Sequence, residues 1–132
     1  MKIFITGSSG FIGSHLTPRL MQEHTVYCMA SDLLNFNSVE QEILKFQPDI
    51  VVHLAARTEV EKSFYEQISF SEVNYVGTVN LIESASKLSQ KPYFVFASTM
   101  EVYGWQPVSD QIQQGNIPNI LPAFDENTVP NP

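Results

Sequence analysis

Thr6-Gly7-Ser8-Ser9-Gly10-Phe11-Ile12-Gly13 stands between a short β-rich run and a helical pattern. The run before it, Lys2-Ile3-Phe4-Ile5-Thr6, is apolar and ends abruptly at Gly7, as a buried parallel strand does. After it, Phe11, Ile12, Leu16, Leu20 and Met21 recur at helical spacing. Strand, glycine loop and helix in that order make a phosphate cradle. Gly7 permits the tight turn, Gly10 clears the path of a pyrophosphate, and Gly13 lets the helix pack close to the sheet. The helix N-terminus adds free N–H groups and a positive field. A ligand-free glycine turn and an S-adenosylmethionine site are the competing readings. The second has no pyrophosphate to use the helix end.

An acid is expected about 20 residues past such a loop, on the adenosine ribose. Asp32 lies 19 residues past Gly13, after the next β-rich run, His24–Ala30. A carboxylate there repels a 2′-phosphate, and no Arg or Lys occurs between Arg19 and Lys45, so NAD is expected over NADP. The plainer alternative for Asp32 is a turn residue.

The rest of the chain repeats the alternation. Pro18 is awkward in the first helix, which is therefore expected to begin near Ser14. Asn37 or Ser38 is expected to cap a second helix that buries Val39, Ile43, Leu44 and Phe46 and stops at Pro48. Asp49–Leu54 reads as a third strand and Tyr93–Ala97 as a fourth. Between them a long helix is expected over about Ser69–Ser89, with Val73, Val76, Leu81, Ile82, Ala85 and Leu88 as its apolar stripe. Gly77 inside it costs about 1 kcal/mol relative to Ala, which a close backbone contact would offset. Four strands near 2–6, 25–30, 50–54 and 93–97, all parallel with helices on both faces, give an α/β, doubly wound sheet. Residues 105–132 hold five prolines and no sustained period, and read as loop.

Composition narrows the partners. The 132 residues carry 7 Lys plus Arg against 14 Asp plus Glu, a net charge of -7, which disfavours nucleic acid. No apolar run approaches the ~18 residues of a membrane span, and the N-terminus lacks a signal-peptide pattern. A soluble cytoplasmic protein is expected. The lone Cys28 excludes an internal disulfide and reads as a small strand residue. His15, His24 and His53 share no ligand spacing, so no metal is expected, and His53 reads as a packing residue at a strand end. Arg57, Glu59, Glu61 and Lys62 read as a solvated mixed-charge patch, with substrate or loop contacts as the alternative.

Four segments in order, TGSSGFIGSHL, PDIVVHLAA, NYVGTVNLIESA and STMEVYG, resemble the extended short-chain dehydrogenase/reductase family, the NAD-dependent nucleotide-sugar epimerases and dehydratases. The likeness runs from Met1 to about Gly104 and faintly through DENTVPNP. It implies an incomplete Rossmann domain over residues 1–104 and a loop-rich segment, 105–132, leading toward a catalytic Tyr-x-x-x-Lys and a substrate domain. It implies Gly7, Gly10, Phe11, Ile12 and Gly13 at the pyrophosphate of NAD, with Phe11 and Ile12 as backbone donors. Asp32-Leu33 falls on the adenosine side, Leu54, Ala55 and Ala56 on the loop passing the adenosine and its ribose-phosphate, and Asn74 on the helix asparagine that fixes a loop near the nicotinamide. Thr99 matches the hydroxyl that bonds the oxidised sugar alcohol. Glu101 matches the general acid/base of the 4,6-dehydratase and decarboxylase branches, a solvated loop acid being the alternative. The implied partner is a nucleotide sugar, and a homodimer stays open for the complete protein.

Three departures stand against that pattern. Met100 occupies a position where many dehydratases carry an acid. Only Ser31–Asn37 joins the second strand to the next helix, so an outer strand and one of two acids are expected to be missing. None of Tyr27, Tyr65, Tyr75, Tyr93 or Tyr103 is followed four residues on by Lys. The expectation is a fragment, inactive alone. A non-catalytic nucleotide-binding remnant or regulatory subunit, and a decarboxylase or reductase of the same family, are the alternatives.

Overall fold

A computed structural model describes residues 1–103, 125 and 127–130. Residues Met1–Ala97 form one compact unit and Ser98–Pro132 another. The first unit contains β1 (Lys2–Thr6), α1 (Phe11–Leu20), β2 (Thr25–Cys28), α2 (Phe36–Phe46), β3 (Ile50–His53), α3 (Val60–Ser63), α4 (Gln67–Ser71), a π-helical turn (Glu72–Val76), α5 (Gly77–Ser86) and β4 (Tyr93–Phe96). The strands pair in the order β2-β1-β3-β4, parallel throughout. This is the expected doubly wound sheet, with β1 beside β3 and no strand between β2 and α2.

Alternation along the strands sorts the core into two layers. Ile3, Ile5 and Val52 face α1 and pack with Leu16 and Leu20. Phe4 and Val51 face the opposite side, where α2 and α5 supply Val39, Ile43, Leu81 and Ala85, with Leu88 just beyond α5. Phe4, Ile5, Val39, Ile43, Val51 and Leu81 are completely buried, and fully burying one such side chain stabilises by roughly 1.5–3 kcal/mol.

Helix boundaries depart from the sequence reading for local reasons. α1 begins at Phe11, not near Ser14, so Pro18 sits inside it. The cap of α2 is Asn35, not Asn37 or Ser38; its Oδ1 accepts from Ser38 N at 3.2 Å. Leu44 of that helix stays exposed, while Phe46 packs against Phe4 and Tyr27. The long helix is interrupted by the π turn, and Val76 and Ile82 of its predicted stripe are exposed. Gly77 has the close contact its position called for, although with a side chain. A Cβ there would lie 2.9 Å from Leu33 Cβ.

In the second unit, a 3₁₀ turn spans Met100–Tyr103. The Asp125 carboxylate accepts from Asn127 N and from the Thr128 hydroxyl, both at 3.0 Å. Most of the predicted 105–132 loop lies outside the described residues.

Candidate functional site

Both glycine-loop ends are closed and its middle is open. Gly7 adopts φ 68°, and a Cβ on it would lie 2.6 Å from Ala55 N. A Cβ on Gly13 would lie 2.2 Å from Gly7 O and 2.6 Å from Ser8 Cα. These are backbone contacts, so no rotamer change relieves them. Gly10 is exposed, and a Cβ there meets only Gly7 O, at 3.3 Å. Gly10 N donates to Gly7 O at 3.0 Å, which sets the turn before the helix. Gly10 is also the N-cap of α1 and offers no side chain to the first-turn amides. The first-turn N–H groups, those of Phe11 and Ile12 among them, therefore have no side-chain cap, the state in which a helix start takes a phosphate. The side chains of Phe11 and Ile12 are exposed.

The loop lies where the chain reverses direction across the sheet, with β2 on one side of β1 and β3 on the other. Ligands of open α/β sheets bind at this switch point, beyond the carboxyl ends of the strands. Leu54 and Ala55 line the same edge. Leu54 N donates to Thr6 O at 3.2 Å, and Ala55 N donates to Thr6 Oγ1 at 3.2 Å. Ala56 is exposed just beyond them.

A buried polar relay ties these segments together. His53 Nδ1 lies 2.6 Å from Thr6 Oγ1, and His53 Nε2 lies 2.9 Å from Thr78 Oγ1. Thr78 donates its hydroxyl to Asn74 O at 2.7 Å, so its oxygen accepts from Nε2–H. Nδ1 then accepts from the Thr6 hydroxyl, and both imidazole nitrogens of a neutral ring are satisfied. Burial lowers the His53 pKa from its ordinary value, which holds the ring in that form. The Asn74 side chain clamps the next loop: Oδ1 accepts from Arg57 N at 2.7 Å, and Nδ2 donates to Arg57 O at 2.9 Å. The relay thus runs from the edge of β1 to the loop after β3 through one histidine, whose sequence position suggested packing alone.

Other predicted residues are more occupied than the sequence suggested. Arg57 bonds Glu66 at 2.8 Å and Ser69 at 2.7 Å and stacks over Phe70, so its guanidinium is held within its own loop. Asp32 Oδ1 accepts from Leu34 N at 2.9 Å, a turn contact that leaves its second oxygen open. Leu33 is buried in the main core, and its carbonyl accepts from Asn80. In the second unit, Thr99 Oγ1 accepts from Glu101 N at 3.3 Å; both residues are exposed.

Comparison with known proteins agrees with this geometry. The NAD dependent epimerase/dehydratase family matches residues 3–121. A dTDP-D-glucose 4,6-dehydratase of Dictyostelium discoideum is 34% identical over 159 residues, covering 99% of this chain and 36% of the relative. The UDP-glucose 4-epimerase of Thermus thermophilus, solved in complex with NAD, superposes with a TM-score of 0.77 at 28% identity, over 100% of this chain and 45% of that one. RMD from Pseudomonas aeruginosa, solved with NADPH, gives 0.74 at 26% identity, over 99% and 42%. The chain spans less than half the length of these relatives. No described helix is long and apolar enough to cross a membrane. With the family matched across most of the chain, and the glycine loop, switch point and sheet order in agreement, this chain belongs to the NAD-dependent epimerase/dehydratase family.

Proposed function

We propose that these residues form the cofactor-binding part of an NAD-dependent enzyme that epimerises or 4,6-dehydrates a nucleotide sugar. The observation that carries this reading is the open Gly10 between two closed glycines, beside the uncapped start of α1. A dinucleotide fits that cradle: Gly10 leaves room for the pyrophosphate, and the amides of Phe11 and Ile12 would hold it. Leu54, Ala55 and Ala56 would pass the adenosine and its ribose-phosphate. Asn74 would fix the nearby loop through its clamp on Arg57. NAD held there would supply reversible hydride-acceptor chemistry.

In the same reading Thr99 orients the sugar hydroxyl, and Glu101 takes a carbon-bound proton. No tyrosine in the chain is followed four residues on by lysine. The base that would couple alcohol deprotonation to hydride loss is therefore missing, and the 132 residues alone are expected to be inactive.

Titrating NAD calorimetrically into the wild-type chain and Gly10→Asp tests the cradle. The added Cβ meets only Gly7 O, at 3.3 Å, so the variant should fold with a small shift of the loop. Its charge stands in the phosphate path, and affinity should fall at least about tenfold. Equal affinity in the two chains would remove the glycine loop from the cofactor site. Assays with UDP-, dTDP- and GDP-hexoses, on this chain and on one extended through a Tyr-x-x-x-Lys, should show turnover only in the longer protein.

A further inference from the structure

The end of β2 carries an anion that belongs neither to the glycine loop nor to a β2-terminal acid. The register sets Cys28 beside Ile5, and Met29 N donates to Ile5 O at 2.9 Å. Ala30 and Ser31 therefore leave the sheet at the level of Thr6 and Gly7. Both of their amides turn to one carboxylate on α2. Ala30 N donates to Glu42 Oε2 at 3.2 Å, and Ser31 N donates to Glu42 Oε1 at 2.9 Å. The phenol of Tyr27 is a further neighbour; burial first, and Glu42 second, raise its pKa.

No Lys or Arg among the described residues forms an ion pair with Glu42; their ion pairs go to Glu40, Glu59 and Glu66. Asp32, one residue past Ser31, adds a second carboxylate. The Ser31 hydroxyl beside them is buried without a hydrogen-bond partner.

We propose that Glu42 is the specificity-determining charge of the adenosine-ribose subsite, making the end of β2 select a free 2′-hydroxyl over a 2′-phosphate, and hence NAD over NADP. This rests on the cofactor reading above. Two successive backbone amides at a strand end are a natural anion cradle. Glu42 fills it with the protein's own anion. A 2′-phosphate arriving there finds both donors taken and a like charge beside them. A neutral ribose hydroxyl is not repelled, and the remaining carboxylate lone pairs can accept from it. Asp32 holds the turn at Leu34 with one oxygen and keeps the other open, so it is the competing carboxylate that the test must separate from Glu42.

The test is direct binding of NAD, NADP, adenosine 5′-phosphate and adenosine 2′,5′-bisphosphate to the 132-residue chain, with folding followed by circular dichroism. Wild type should favour the unphosphorylated member of each pair. Glu42→Gln keeps an oxygen acceptor and removes the charge. It should improve binding of the 2′-phosphorylated ligands by roughly tenfold, the effect of one unit charge a few ångströms away. NAD should change by less than about threefold. Glu40→Gln, whose residue pairs with Lys87, should leave the ratio unchanged. Should Glu42→Gln not fold, Glu42→Asp retains charge and acceptors but withdraws them by one methylene, and should give a smaller shift in the same direction. A wild-type preference for NADP, or an unaltered ratio in the folded Glu42 variants, would overturn the role of Glu42 while leaving the cofactor reading intact. A shift produced by Asp32→Asn instead would also overturn it. Failure of wild type to bind any of the four ligands would overturn both.

Discussion

Gly13→Ala sets helix propensity against packing, and the structure decides between them. In an exposed helix interior, Ala is better than Gly by about 1 kcal/mol. At Gly13 the new methyl carbon would stand 2.2 Å from Gly7 O and 2.6–2.7 Å from the Ser8 backbone. Ordinary contact, at ~3.5 Å or more, needs considerably greater separation. Because every opposing atom is backbone, α1 or the glycine loop must move. Overpacking of this kind costs typically about 1–3 kcal/mol. With rigid backbone on both sides we expect a net loss of about 2 kcal/mol after the propensity gain. In urea, with a slope of about 1–3 kcal/mol per molar, the midpoint should fall by roughly 1 M. Gly10→Ala is the internal control. Its methyl would meet only Gly7 O, at 3.3 Å, and stability should change by less than about 1 kcal/mol. A Gly13→Ala chain as stable as wild type, or more stable, would show that the loop and helix are not in the close contact described.

The His53 relay predicts a pH dependence. The ring's pKa is lowered by burial in the folded chain and stands near 6.5 in the unfolded one. Above about pH 6.5 both states hold it neutral, and its contribution is fully present. As the pH falls below about 6.5 the unfolded state takes the proton first, and stability is lost at up to about 1.4 kcal/mol per pH unit until the folded ring titrates. Urea midpoints at steps from about pH 7.5 to 5 should show this slope in wild type and not in His53→Gln; parallel profiles would contradict the relay. Asn74→Ala should release both hydrogen bonds to Arg57, and hydrogen exchange should speed at the Arg57 amide while the amides of β1 and β3 stay protected. Unchanged exchange at Arg57 would mean that the clamp does not restrain the loop.

How much of this was legible depends on whether the cause is local in sequence. The four strands were readable because each β-rich run ends in a residue that stops it, Gly7 after β1 being the clearest. Their parallel direction followed from the βαβ alternation, whereas the order β2-β1-β3-β4, with β3 crossing to the far side of β1, is not set by spacing. Gly7, Gly10 and Gly13 were readable as a loop because their spacing carries the geometry. The start of α1 was misread for a related reason. Gly13 and Pro18 both argue against helix, yet the contact of Gly13 with Gly7 and Ser8 places it inside one. The α2 cap was misplaced because Asn35, Asn37 and Ser38 are all good caps, and only Asn35 has its oxygen on Ser38 N. Neither the π turn nor the exposure of Val76 and Ile82 shows in a helical period of about 3.6 residues.

The harder cases are pairings between distant residues. Thr6 and His53 are 47 residues apart, His53 and Thr78 are 25 apart, and neither pair belongs to a spaced motif. The short link after β2 could be read as a missing strand, because length is local. Nothing local says what satisfies the amides that such a link leaves exposed. A carboxylate eleven and twelve positions along, on a helix, answers it. Periodicity would have assigned Glu42 to solvent, since a charged residue beside the buried Ile43 is ordinary helix patterning. Only the parallel register brings its helix against the end of β2. The short link from β2 to α2 thus goes with a carboxylate bound to its amides, beside the candidate cofactor edge. For this reason the specificity of the site has to be sought on α2 as well as in the glycine loop.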